Sequence, residues 1–193
     1  MKKVIICLAA TGLVFSMQAS AQIQKGNLLV GGDIANFNLG LDGGGNFSAQ
    51  IDPKVAWFVR DNLAIGGYLS LGINTAKGNG TSVSYGVGSL ARYYLSSDAI
   101  NVLRNSRFFL EGTIGIAGDN PAVGNNTNGL GLGIGPGWTY FITPNVGLEA
   151  LLKYNGIVGF GSKPTSNDLG LSVGFQIYLP TARLKKIAKD VSN

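Results

Sequence analysis

Histidine is absent from this 193-residue chain, and cysteine occurs once, at Cys7. These two absences remove most of the side-chain chemistry enzymes use. Ser–His and Cys–His pairs need an imidazole or a thiol beside it, and no aligned Ser–Lys pair stands out instead. Structural and catalytic metal sites lose their commonest ligands. Asp119-Asn120 offers only two oxygen ligands in a polar loop, which reads as solvated. No enzyme activity, metal or cofactor is therefore expected. Charge is scarce too, at 13% Lys, Arg, Asp and Glu, against about 25% in typical soluble domains. The net charge of +5 is carried at the two ends, by Lys2 and Lys3 and by Arg183, Lys185, Lys186 and Lys189. Residues 22–180 hold nine basic and nine acidic side chains, so no basic nucleic-acid surface is expected. Long apolar runs are missing as well. Beyond the first residues none approaches the ~18 a membrane-spanning helix requires. The Gly129–Gly137 stretch lacks G-x-G-x-x-G spacing and no helix follows it, which excludes a nucleotide loop.

What is present is alternation. In Val55–Leu69, residues Val55, Trp57 and Val59 share one face of an extended chain. Arg60-Asp61-Asn62 makes a tight turn, and Leu63, Ile65, Gly67 and Leu69 continue the apolar phase. Period-two patterning around a short polar turn predicts a β-hairpin. The same pattern predicts strands at Gly26–Ile34, where the phase breaks near Phe37 at a bulge or a loop start, and at Ser82–Leu95, Arg107–Ala117, Gly129–Ile142, Val146–Tyr154 and Leu169–Leu179. With the opening hairpin this makes eight strands of about nine to fourteen residues. Their connections alternate. Arg60–Asn62, Ser96–Ser106 and Thr143–Asn145 are mostly tight, whereas Asp42–Gly45, Asn74–Thr81, Gly118–Asn128 and Gly156–Asp168 are rich in Gly and Asn. The first 21 residues read as a cleaved secretory signal. Lys2-Lys3 precede the apolar Val4–Val14 and an Ala19-Ser20-Ala21 cleavage site, and Cys7 lies too early for lipidation. The expected organisation is a signal peptide over 1–21, a barrel over 22–180 and a basic tail over 181–193. Leu184, Ile187, Ala188 and Val191 lie at helical spacing in that tail, so a short amphipathic helix and a frayed end are both open.

An eight-stranded barrel can point its apolar phase inward, as a soluble calyx, or outward to lipid. The other phase is mostly Gly, Ser, Ala and Asn, a poor water-facing exterior but a suitable narrow interior. Every strand charge falls on it: Asp33, Asp52, Lys54, Arg92, Arg107, Glu111, Glu149 and Lys153. A charge on the lipid face at mid-membrane costs up to about 2–4 kcal/mol. The expected fold is therefore all-β, an eight-stranded antiparallel up-and-down transmembrane barrel.

A hairpin-sized repeat marks one end. Strands arriving there finish Trp57-Phe58-Val59, Tyr93-Tyr94-Leu95, Tyr140-Phe141-Ile142 and Ile177-Tyr178-Leu179, with Pro53 and Pro136 four residues before two of the pairs. Trp57, Tyr93 and Tyr140 form the expected interface girdle. Tyr85 and Tyr154 lie on the lipid phase near the opposite rim, and Tyr68 and Trp138 fit less regularly. Phe58, Tyr94, Phe141 and Tyr178 point inward at the periplasmic end of the lumen, where packing and a gate are both open. The charges at matched heights, Arg92, Glu111 and Glu149 below Asp33, Asp52, Lys54 and Lys153, predict a lumen salt-bridge network with Arg92 and Glu111 paired across one ladder. The glycines of the upper lumen (Gly66, Gly86, Gly88, Gly131, Gly133, Gly170 and Gly174) leave a small vestibule and close backbone packing both open.

With WFVRDNLAIGGYLSLG and YFITPNVGLEALLKY as its hairpin phrases, the chain over about residues 26–179 resembles the small outer-membrane β-barrel domain family, the eight-stranded barrels of OmpA/OmpX type. The resemblance implies a Gram-negative outer-membrane location and a mainly structural role. It implies outer-membrane lipids and the barrel-insertion machinery as partners, and a monomer. A porin-like conduit or vestibule for a small solute or lipid, and surface adhesion, are the alternatives. Likeness to OmpA-type barrels also suggests an ion gate at the charge network. The enzymes on this fold (lipid A palmitoyltransferase, lipid A deacylase, omptin protease) would imply a catalytic His, which is missing. Family members often end at an aromatic residue, whereas here Tyr178-Leu179 is followed by Pro180 and thirteen more residues.

Overall fold

In a computed structural model, residues 23–39, 46–76, 78, 80–95, 105–160 and 165–181 are described. The signal segment and the basic tail fall outside them, apart from Thr181. The chain forms eight strands: β1 (Leu28–Leu39), β2 (Asn46–Arg60), β3 (Leu63–Ala76), β4 (Gly80–Tyr94), β5 (Ser106–Asn120), β6 (Thr127–Thr143), β7 (Val146–Gly159) and β8 (Thr165–Leu179). Each pairs antiparallel with its neighbour, and β1 pairs with β8, which closes the barrel. Closure leaves no strand edge, so the backbone polar groups of every strand find partners within the sheet.

The strands are 12 to 17 residues long, longer than the sequence pattern predicts. The extra length lies at the rim opposite the turns 61–62 and 144–145. There β3 runs to Ala76, β5 to Asn120, β7 to Gly159, and β8 starts at Thr165. Alternation fades in these Gly-, Asn- and Thr-rich stretches because neither face is buried in an apolar medium. The ladder continues because the backbone hydrogen bonds do not depend on side chains. The phase break of β1 is a bulge between Ala35 and Asn38, with Asn36 in the left-handed region at φ 53°. The β2–β3 turn likewise uses Asn62 at φ 65°, a conformation Asn tolerates better than most residues. Both prolines interrupt one ladder. β2–β3 pairing skips Asp52-Pro53 and β6–β7 pairing skips Gly135-Pro136, since Pro has no N–H to donate.

The outside is apolar. Ile34, Ile51, Trp57, Ile65, Leu71, Tyr93, Ile114, Ile134, Leu148 and Val173 are each about half exposed. Among the described residues Arg60, the last residue of β2 beside its turn, is an exposed strand charge paired with the outward Leu63, and no Lys, Arg, Asp or Glu points outward between the two rims. Trp57, Tyr93 and Tyr140 all point outward near the tight turns, and Trp138 lies against Tyr140 with ring centroids 6.0 Å apart. The core is the lumen, and its buried side chains include Phe58, Leu90, Tyr94, Phe109, Phe141, Leu151 and Tyr178.

Candidate functional site: a buried charge network and the chamber above it

The two-residue turns 61–62 and 144–145, the connection 95–105 and both chain ends of the barrel lie at one rim, the turn end; the connections 40–45, 77–79, 121–126 and 160–164 lie at the other, the loop end. The longest connection is thus at the turn end, and Ser96–Ser106 is not a tight turn. At the turn end the inward aromatic residues pack into one cluster. Phe58 lies 5.9 Å from Tyr94 and 6.3 Å from Tyr178, and Phe141 lies 5.2 Å from Tyr178. Phe109 joins it, 5.5 Å from Tyr94. These rings are at most 5% exposed. Ile23 closes the cluster from below, because residues 23–26 fold under the rim. The Ile23 carbonyl accepts from the Asn62 N–H, Asp61 accepts from the Lys25 N–H, and the Phe58 carbonyl accepts from the Gly26 N–H.

The cluster is held by a fourfold backbone device. The carbonyls of Asn27, Asn62, Asn105 and Asn145, each one residue before an odd-numbered strand, accept the N–H groups of Phe58, Tyr94, Phe141 and Tyr178 at 2.7–2.9 Å. Sequence reading found the four aromatic positions but not Ile23, Phe109 or the Asn27 and Asn105 members of this set. The signal was present: an Asn immediately precedes each odd strand, and Phe108-Phe109 forms an aromatic pair on a strand leaving the rim.

Directly above the rings lies the charge network. Arg92 and Glu111 are register partners on β4 and β5, and the Arg92 Nη2 and Nε donate to Glu111 Oε2 at 2.6 and 3.1 Å. Arg92 Nη1 crosses the lumen to both Glu149 oxygens, at 2.7 and 2.8 Å. Lys54 Nζ donates to Asp33 at 2.6 Å and reaches Glu111 at 3.2 Å. Lys153 approaches Glu111 at 3.7 Å. Asp33, Lys54, Arg92, Glu111 and Glu149 are buried, while Lys153 keeps partial exposure. Three cations thus meet three carboxylates. Asp52 stands apart from these ion pairs: it accepts from Gln50 and Ser70 instead.

Neutral groups complete the carboxylates. Thr139 and Tyr178 donate to Glu149, and Gln176 donates to Asp33. Since the Tyr178 hydroxyl proton points to Glu149, the 2.8 Å contact between the two tyrosines has Tyr94 as donor. Tyr94 in turn accepts from Arg92. Arg92, Tyr94, Tyr178 and Glu149 therefore form a closed hydrogen-bonded ring. The Arg92 guanidinium also stacks over Phe109 at 4.1 Å, a favourable cation–π geometry that ties the charge layer to the aromatic layer.

Toward the loop end the lumen opens into a polar chamber of about 410 Å³, lined in part by Asp52, Tyr68, Ser84, Lys153, Asn155 and Asp168. Tyr68 points inward, half-buried, with Lys153 5.7 Å from its ring. Both expectations for the upper glycines are met at different positions. Gly86 and Gly131 line the chamber. A side chain at Gly88 would strike the β5 backbone at Ile114 and Gly115 instead.

No family model matches the sequence, and no curated protein does. Solved structures do match. Neisserial surface protein A superposes with a TM-score of 0.51 at 18% identity, covering 78% of this chain and 94% of that one. The N-terminal β-barrel domain of Pseudomonas aeruginosa OprF matches with a TM-score of 0.46 at 11% identity, over 80% and 98% of the two chains. The Yersinia pestis outer membrane protein Ail matches with a TM-score of 0.46 at 11% identity, over 80% and 100%. Eight antiparallel strands closed into one sheet, together with the superposition on surface protein A, give this chain the fold of the small eight-stranded outer-membrane β-barrels.

Proposed function

We propose that the protein is an integral barrel of a Gram-negative outer membrane, with a structural, non-catalytic role in which the turn-end half of its lumen is sealed. The sealing carries this reading. Five aromatic rings and Ile23 fill the rim, and a hydrogen-bonded ionic layer lies across the lumen above them. The half-exposed apolar exterior, free of charge between its two rims, supports the membrane location, since water-facing barrels need charged outer surfaces. The absence of His from the whole sequence supports a role without acid–base catalysis. Outer-membrane lipids and the insertion machinery are its partners on this reading, and it acts as a monomer.

The chamber favours one second reading, a binding vestibule or narrow conduit open to the loop end. Liposome swelling separates the two. Barrels refolded into vesicles should pass neither small sugars nor ions, and sugar permeation would overturn the sealed barrel in favour of a conduit. The membrane reading is tested by Ile114→Lys, at an outward position 52% exposed near the middle of β5. A lysine facing lipid should cost about 2–4 kcal/mol in vesicle refolding. A neutral effect, or recovery of the native protein in the soluble periplasmic fraction, would sink it.

A further inference from the structure

Small residues interrupt the apolar exterior at several outward positions, among them Gly67, Ser89 and Gly112. On β7 the outward residue between Tyr154 and Val158 is Gly156, whose ladder partners are Leu132 on β6 and Asn167 on β8. A Cβ at Gly156 would meet only the Ser166 carbonyl oxygen, at 3.9 Å. A cavity of about 360 Å³ occupies the space, rimmed by Leu132, Ile134, Tyr154 and Val158, with Thr165 and Asn167 on its β8 side. The four apolar rim residues are 45–55% exposed. The lumen-facing residues Gly133, Ile157 and Ser166 also line this notch, so its floor is the sheet itself around Gly156. Its volume lies in the range of pockets that hold small ligands, about 300–1,000 Å³.

We propose that this notch seats one acyl chain of a membrane lipid whose headgroup hydrogen-bonds to Thr165 and Asn167. The inference rests on the membrane reading above. The occupant follows from the position. The notch is continuous with the outward band of Ile134, Leu148, Leu152 and Leu171, so what covers that band also fills the notch. Its polar side is toward the loop end, where the apolar pattern fades. The hydroxyl of Thr165 and the amide of Asn167 are exposed there. Among the described residues the polar groups of the notch on its β8 side are Thr165 and Asn167, which offer hydrogen bonds. A chain held between Tyr154 and Leu132 would contact protein on its sides and at the Gly156 floor, whereas lipid elsewhere on the barrel touches one surface only.

The test is photo-crosslinking in nanodiscs of phosphatidylcholine doped with phosphatidylcholine that carries a diazirine at the end of one acyl chain. In the full-length protein, labelling should concentrate on β6–β8 peptides, about tenfold over β2–β4, and Gly156→Leu should abolish the excess. Gly67→Leu is the control. It lies outward on β3, where an added Cβ would meet only the Gly88 oxygen at 3.4 Å, and it should keep the wild-type pattern. Even labelling around the wild-type barrel, or an unchanged excess in a heat-modifiable Gly156→Leu protein, would overturn the seat. The wild-type pattern decides the question if Gly156→Leu fails to fold. Failure of the wild-type chain to enter nanodiscs would instead remove the membrane reading, and the seat with it.

Discussion

At the turn end the inward residues of β2, β4, β6 and β8 are Phe58, Tyr94, Phe141 and Tyr178; eight residues back along the same strands they are Gln50, Gly86, Gly133 and Gly170. The same sheet therefore encloses two interiors. Near the turns it is dry and filled, with rings stacked beneath paired charges. Near the loops it is a polar chamber. Eight strands leave room for one layer of large side chains and little else. Side-chain volume alone thus decides whether a level of the lumen is solid or hollow. The contrast also explains where ionic groups are tolerated. Buried charges require full pairing in the filled half, whereas Asp168 at the loop end needs only Asn155 and solvent.

The sharpest way to break this comparison is at Arg92, which is wholly buried and joins Glu111, Glu149 and Tyr94. Arg92→Met keeps much of the side-chain volume but leaves the buried Glu149 without its cation and takes one of three cations from Glu111. Removing one partner of a buried ion pair typically costs about 3–5 kcal/mol. Urea unfolding from lipid vesicles, followed by the fluorescence of Trp57 and Trp138, should show a loss of that size. A loss under ~1 kcal/mol would mean that water reaches the network and that the filled half is not dry.

A smaller loss is expected at Gly137. Its inward side is occupied by the Phe109 ring, and even a methyl group there would collide with it. The ring cannot retreat freely, since Arg92 lies over its face at 4.1 Å. Gly137→Ala should therefore destabilise by about 1–3 kcal/mol, the usual range for overpacking. Adding Phe109→Leu should restore part of the loss, and absence of rescue would show that the clash is not the cause.

The filled half was the more legible in the sequence. Strict alternation over Val55–Leu69 and Gly129–Ile142 carries strand identity, phase and orientation, because a side chain facing lipid and one facing the lumen experience opposite solvents. The matched heights of Arg92 and Glu111 follow from hairpin register alone. The contacts of Lys54 with Glu111 and of Arg92 with Glu149 do not. They cross the lumen between strands far apart in the chain, and depend on how closure and tilt set non-neighbouring strands against each other. Asp52 shows the limit: at a height similar to Lys54, it bonds to Gln50 and Ser70 and not to a cation. Strand ends at the loop rim were misread for a related reason. In Asn74–Ala76 and Ile157–Gly159 the environment is no longer two-sided, so hydrophobic patterning carries no information although the ladder persists.

The smallest expected effect tests the hollow half directly. Gly86 also points inward, eight residues from Tyr94 on the same strand, but an added Cβ there would sit 3.5 Å from the Ser70 side chain and 3.6 Å from the Tyr68 ring, ordinary van der Waals contact. Nothing has to move. Gly86→Ala should leave stability within about 0.5 kcal/mol of wild type, or raise it by about 0.4–1 kcal/mol if restriction of the unfolded chain dominates. The informative quantity is the difference between the two glycine variants in the same urea titration. If Gly86→Ala costs as much as Gly137→Ala, the chamber is filled in the membrane-bound protein and the distinction between the two halves collapses. If the difference persists, side-chain volume at single inward positions is sufficient to set where this barrel is solid and where it is open.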